Sequence, residues 1–285
     1  MPGTDNQLLI AARVHTSQLL GKNKSLVLHG GGNTSVKITE TNIVGEEEEI
    51  LYVKGSGWDL ETITAEGFSP VRSAHLKKLS ELENLSDASM VNELVTHLTR
   101  SSAPVPSVEA ILHAVVPYRY VDHTHADAVI GISNSVNGEK IIRELYGDRV
   151  VYVPYIMPGF DLSKLCAQLL KSDLTPDKIG IILLNHGVFS FGDTAEQSYE
   201  RMIELVSIAE NYLKQNTQPG QVSIKAGTDS VREDIACLRK NISAAAGFPV
   251  ILKRHKMIKR WVFVTARICQ LFRNRDCHSG SCDQD

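Results

Sequence analysis

The stretch IGIILLNHGVFSF, residues 179–191, decides how this chain is read. The apolar run Ile179–Leu184 has the composition of a buried strand, and Gly187–Phe191 pairs naturally after it. Asn185-His186-Gly187 then becomes a tight connection at the mouth of a central strand, a place where a rigid sheet presents functional side chains. Working outward, a helix is expected from Leu162 to Lys171 and strands at 149–153 and 120–124. A long helix is expected from Thr194 to Lys214, with Ala195, Tyr199, Met202, Leu205, Val206 and Ala209 on one stripe.

Further upstream, helices are expected at 137–147, from near Ser107 to before Pro117, at 87–100 behind a Ser86 cap, and at 70–83. Short strands are expected at 25–29, 35–38 and 49–53. An opening helix at 5–20 places Leu8, Leu9, Ala12, Leu19 and Leu20 at a helical period and is stopped by Gly21. Asn216–Gly220 reads as a linker and 228–246 as a further helix. The domain organisation that follows is one mixed α/β domain over 1–215, a linker and helical extension over 216–252, and a basic, cysteine-containing tail over 253–285.

The 285 residues include 42% hydrophobic and 22% charged residues, which excludes disordered, collagen-like and coiled-coil proteins. No apolar run approaches the ~20 residues that cross a bilayer, and the N-terminal sequence lacks a basic and then apolar leader. Five Cys, of which only Cys166 and Cys237 lie outside the last 17 residues, do not make a disulfide framework, and a reducing cytoplasm is the expected setting. Residues 1–252 carry 22 basic and 30 acidic residues, a net −8, which argues against nucleic-acid binding. Residues 253–285 carry eight basic residues and three acidic ones, a net +5. This tail reads as a truncation remnant in preference to a membrane- or partner-contacting segment around Trp261 and Phe263.

His123-Thr-His125 is the sharpest chemical feature. Residues i and i+2 of a strand share a face, so the two imidazoles would converge as a divalent metal requires. His186 supplies a third nitrogen, and three histidines with one open position make a catalytic zinc site. Cys277, His278 and Cys282 form a weaker competing set. Glu109, near the start of a helix that leads into the His123 strand, is the best acid/base candidate. A dipole or capping role is its bland alternative. His113, four residues on, is weighed as structural. Two polar glycine turns, His29–Ser35 and Lys54–Gly57, offer unobstructed backbone N–H groups as anion-binding nests. Dinucleotide, P-loop and lipase patterns all fail on spacing.

Taken in order, GGGNTS (30–35), VKGSG (53–57), PSVEA (106–110), HTHADAV (123–129) and LLNHGVFSFG (183–192) resemble the class II aldolase/adducin family. The resemblance covers about residues 5–215 and is nearest to the aldolase half of bifunctional rhamnulose-phosphate aldolase/dehydrogenase proteins. It implies a three-layer α/β/α sandwich with a central, mostly antiparallel sheet. It also implies a homo-oligomer, a tetramer, acting on a small sugar phosphate. His123, His125 and His186 would be the zinc ligands and Glu109 the catalytic acid/base. Gly32, Asn33, Ser56, Gly57 and Ser107 would hold the substrate phosphate, with Val108 standing where fuculose-phosphate aldolase has a second serine. Tyr152 and Tyr155 are candidates for an assisting tyrosine. The implied reaction is cleavage of a ketose 1-phosphate to dihydroxyacetone phosphate and an aldehyde. A 4-epimerase or dehydratase is the first alternative and a non-enzymatic adducin-like binding module the second.

Overall fold

The computed structural model describes residues 4–216 and 231–251. The chain divides after Asn216 into two compact units, each considered by itself. The second contributes one described helix, Val231–Ala246 (α9). The tail with its Cys277–Cys282 cluster, and most of the linker, lie outside the described residues.

The first unit is built on one seven-stranded sheet. Its strands are Asn33–Thr41 (β1), Glu47–Lys54 (β2), Phe68–Arg72 (β3), Tyr120–Thr124 (β4), Val150–Val153 (β5), Gly180–Leu183 (β6) and Gly187–Gly192 (β7). They lie in the order β3-β2-β1-β4-β7-β6-β5. Every neighbouring pair is antiparallel except β5 with β6. The short Leu184–His186 connection forces β6 and β7 antiparallel, whereas β5 and β6 are joined through a helix and can run parallel.

Helices cover both faces, and the pleat decides which residues each face receives. On β2, Leu51 and Val53 pack with Ser73–Leu79 (α2), Asp87–Thr96 (α3) and Ala110–Val115 (α4). Ile50 and Tyr52, one residue out of phase, pack on the opposite face beside Thr4–Lys22 (α1). Likewise Val121, Phe189 and Phe191 meet α4 and Phe160–Asp173 (α7), while Ile182 and Val188 meet Asp127–Ser133 (α5), Gly138–Tyr146 (α6) and Ala195–Asn216 (α8). The result is the three-layer α/β/α arrangement with a mostly antiparallel sheet.

Four local expectations need correction. Residues 25–29 form turns instead of a strand, because Ser25 through both N–H and Oγ, and Leu26 and Val27 through N–H, bond back onto Asn23. The helix expected over 70–83 begins at Ser73, since Phe68–Arg72 pairs with β2 as an edge strand. Pro70 is tolerated there because an edge position needs no ladder donor from it. Helix α1 runs through Gly21 to Lys22, and Leu8 lies on its solvent side at 64% exposure. Helix α5, directly after His125, was not expected at all. The Ser86 cap of α3 is present, its side chain accepting from Ser89 N.

Candidate active site

The N-terminal ends of β1 and β7 and the C-terminal ends of β2, β4 and β6 all lie at one edge of the sheet, as the registers require. Asn33 stands opposite His123 in the β1–β4 ladder, and His186 occupies the turn between β6 and β7. His125 falls one residue beyond the end of β4, so strand pleat alone does not bring it to His123. The turn does so. The two Nε2 atoms are 3.0 Å apart with the rings at 77°.

His123, His125 and His186 each offer a nitrogen, and these atoms lie within 4.8 Å of one another. His123 is fully buried, with Nδ1 donating to the Val188 carbonyl at 3.1 Å, which fixes the ring and turns Nε2 inward. Burial, reinforced by the neighbouring imidazoles, pushes the His123 pKa well below the ordinary histidine value. Burial also lowers His125 and His186, the latter against the pull of Glu109. Neutral imidazoles are the form that ligates.

Glu109 immediately precedes α4, yet its side chain makes no cap bond there. Its Oε2 lies 3.5 Å from His123 Nε2 and its Oε1 lies 3.4 Å from His186 Nε2. Burial raises its pKa, opposed by His186, by a hydrogen bond from Asn33 and by Lys54. Asn33 Nδ2 donates to Glu109 Oε2 at 2.6 Å and to Ser107 Oγ at 3.0 Å. Ser107 Oγ also accepts from Glu109 N, leaving its own hydrogen free to donate.

His113 orients this set. Its Nδ1 accepts from Ser35 Oγ at 2.8 Å and its Nε2 donates to Asn33 Oδ1 at 2.5 Å. That tautomer is required because the Asn33 nitrogen is already committed as a donor. The imidazole expected to be structural therefore governs which end of Asn33 faces Glu109.

The two glycine turns are brought together: a Cβ built on Gly30 would lie 3.9 Å from Gly57. Lys54 Nζ donates to Gly30 O at 3.0 Å, and burial lowers its pKa to about 8. Ser56 N bonds Val105 O and Ser107 N bonds Lys54 O, which places Ser56, Gly57 and Ser107 along one rim. At Gly32, φ is +63° and a Cβ would meet His123 O at 2.7 Å, so only glycine fits between the turn and β4. Tyr152 is not part of this edge, because its hydroxyl donates to Gly147 O before the N-terminal end of β5. Tyr155 follows β5 at 54% exposure.

Asn185 and Gly187 flank His186 and are not among the candidate site residues read from the motifs. Asn185 adopts φ +60° and its Nδ2 donates to Ser133 O and Asn134 Oδ1, anchoring the residue before His186 to the end of α5. A Cβ at Gly187 would sit 2.5 Å from Thr124 O and 2.9 Å from His123 Cε1. The Asn-His-Gly triplet was the available signal for both.

The donor set fits a divalent transition metal. Glu109 Oε1 and His186 Nδ1 are buried with no hydrogen-bond partner among the described residues. Three imidazole nitrogens beside them suit zinc far better than magnesium or calcium.

Residues 11–213 match the Class II Aldolase and Adducin N-terminal domain. A Bacillus subtilis protein described as uncharacterized oxidoreductase YuxG is 38% identical over 209 residues, 73% of this chain and 30% of that protein. The chain thus spans under a third of the length of that curated relative. Among solved structures, the N-terminal class II aldolase domain of a conserved protein from Thermoplasma acidophilum is 40% identical, with a TM-score of 0.67. The match covers 72% of this chain and 93% of that one. A sugar-phosphate aldolase from Thermotoga maritima, 14% identical over 75% of this chain and 99% of its own, shares the fold at a TM-score of 0.55. On the extent of the domain match and these similarities, the chain belongs to the class II aldolase and adducin family.

Proposed function

We propose that the protein is a zinc-dependent aldolase that cleaves a ketose 1-phosphate to dihydroxyacetone phosphate and an aldehyde. The observation that carries this reading is the convergence of three neutral imidazoles on one buried carboxylate that caps nothing. A divalent cation held by His123, His125 and His186 would supply Lewis acidity toward the ketose carbonyl oxygen.

The remaining work falls to the chain itself. Asn33 occupies Glu109 Oε2 and leaves Oε1 as the atom that takes up and returns a proton. When the C3–C4 bond breaks, the C4 hydroxyl becomes the aldehyde carbonyl and gives its proton to Glu109 Oε1, the electron pair of the broken bond stays on C3, and Glu109 then delivers that proton to C3. The glycine turns at 30–32 and 55–57, with Ser56 and the free hydroxyl hydrogen of Ser107, orient the phosphate through N–H and O–H donors. The Asn33 side chain is committed to Glu109, Ser107 and His113, so its part in phosphate binding falls to the backbone. Burial raises the Glu109 pKa above the ordinary carboxylate value, which makes it the stronger proton acceptor in this exchange.

The reading includes a homotetramer located in the cytoplasm; no helix among the described residues is long and apolar enough to cross a membrane. Light scattering tests the assembly. Incubating zinc-loaded protein with a panel of ketose 1-phosphates tests the reaction. Dihydroxyacetone phosphate is expected from at least one of them, whereas epimerised or dehydrated products without cleavage would reject the aldolase reading.

A further inference from the structure

A second group of metal-type side chains lies away from this site. His75 is on α2, Glu93 on α3, and His97 caps the C-terminus of α3. Each offers a ligand atom within 4.8 Å of the others. His75 Nε2 is 2.8 Å from Glu93 Oε2, and the imidazoles of His75 and His97 stack at 3.3 Å with planes 6° apart. All three side chains are about 30% exposed, open to ions yet held by their neighbours.

We propose that His75, Glu93 and His97 form a second binding site for a divalent transition metal of the zinc class. Three features carry the proposal. Glu93 and His97 are one turn apart and so share a helix face, to which α2 brings His75. The parallel stack, with ring centroids 3.3 Å apart, sets both imidazoles beside the single Glu93 carboxylate. His97 Nδ1 donates to the Glu93 backbone carbonyl at 2.8 Å, which leaves Nε2 as its lone-pair atom. The same second-sphere contact, ring N–H to a main-chain carbonyl, orients His123 in the active site.

Two imidazole nitrogens and one carboxylate, with a net charge of −1 when both rings are neutral, select zinc-like ions over magnesium or calcium. An imidazole binds an ion in its own plane, so loading must tilt one ring out of the parallel stack. The partly exposed His75 has room to turn. The bound ion cross-links α2 to α3, which pack together on β2 and β3 through Leu76, Leu79, Met90 and Leu94.

The test uses the full chain stripped with chelator and titrated with zinc. Wild type should take up two equivalents. His75→Ala/His97→Ala should take up one and lose part of the zinc-dependent rise in Tm. His123→Ala/His125→Ala should also take up one, and should lose it when combined with the first pair. Glu93→Gln, a surface change that leaves packing intact, should lower uptake from two to one. Wild type binding a single ion that His123→Ala/His125→Ala abolishes would overturn the proposal. So would two ions retained in His75→Ala/His97→Ala. A single ion lost instead with His75 and His97 would support this site and reject the active-site assignment.

Discussion

Asn33 Nδ2 donates to Glu109 Oε2 at 2.6 Å, joining the first residue of β1 to the residue that precedes α4. Those residues are 76 apart in sequence and the bond is buried. Its direction is set from behind, because His113 Nε2 donates to the other end of the same amide. Glu109 is thereby left with one bonded oxygen and one free oxygen facing the imidazoles.

Replacing His113 by Phe keeps the bulk of the ring and deletes both of its bonds. Ser35 Oγ and Asn33 Oδ1 then remain buried without those partners, at a cost of about 1–3 kcal/mol per group. Urea denaturation of His113→Phe should register that loss. Under the proposed reaction, kcat should fall more than KM rises, since Asn33 is free to turn its oxygen toward Glu109. Unchanged stability and unchanged kcat would remove His113 from the network.

The metal-free chain should lose stability as the pH falls below the ordinary histidine range. Burial lowers the pKa of His113 and His123 well below it and lowers those of His125 and His186 as well. The unfolded chain therefore picks up protons near pH ~6.5 that the folded chain refuses, at up to ~1.4 kcal/mol per pH unit for each proton. Glu109 and Asp122 have the opposite sign: raised by burial, each is protonated in the fold before the unfolded chain takes up that proton. Four imidazoles outweigh two carboxylates. Urea midpoints of chelator-treated protein should drop from pH 7 to pH 5.5, less steeply in His113→Phe. A rise over that range would contradict the burial described.

Asn185→Ala and Asn185→Gly separate backbone strain from side-chain anchoring. Alanine at φ +60° adds about 1 kcal/mol of strain, and both variants lose the two amide bonds to the end of α5. Glycine should recover the strain component of stability but not the zinc affinity, which is expected to fall ~10–100-fold in both. Affinity equal to wild type in Asn185→Gly would show that His186 is held by other contacts.

Gly187→Ala should be the more damaging change. Its methyl would approach the Thr124 carbonyl at 2.5 Å, His123 Cε1 at 2.9 Å and His125 Cδ2 at 3.2 Å. The rings must shift, so competition with a chromophoric chelator should report at least ~10-fold weaker zinc binding. Full affinity would mean that the strand yields there without moving the histidines.

Much of this arrangement is legible in the residues. The run from Ile179 to Phe191 delivers β6, β7 and the position of His186, because burial on both faces leaves a continuous apolar signal. His123 is on its strand as expected. Non-local packing accounts for what was missed. Phe68–Arg72 carries Pro70 and runs directly into α2, so its pairing with β2 leaves no alternation long enough to read. Residues 25–29 have strand composition but bond back onto Asn23, a local contact that outcompetes pairing. His125 reaches His123 through a turn instead of the pleat. The roles of His113 and Asn185 depend on partners 51 to 80 residues away, which no local pattern records.

The central claim is that Glu109 moves a proton on a carbon held beside the three histidines. Zinc-loaded protein incubated with dihydroxyacetone phosphate in deuterated water tests it without knowledge of the aldehyde. Wild type should exchange a proton on the hydroxymethyl carbon, followed by proton NMR. Glu109→Gln, nearly isosteric and still holding zinc, should exchange ~10²–10⁴-fold more slowly. Equal exchange in the two proteins would remove Glu109 from the chemistry, and no exchange in zinc-loaded wild type would contradict the aldolase account itself.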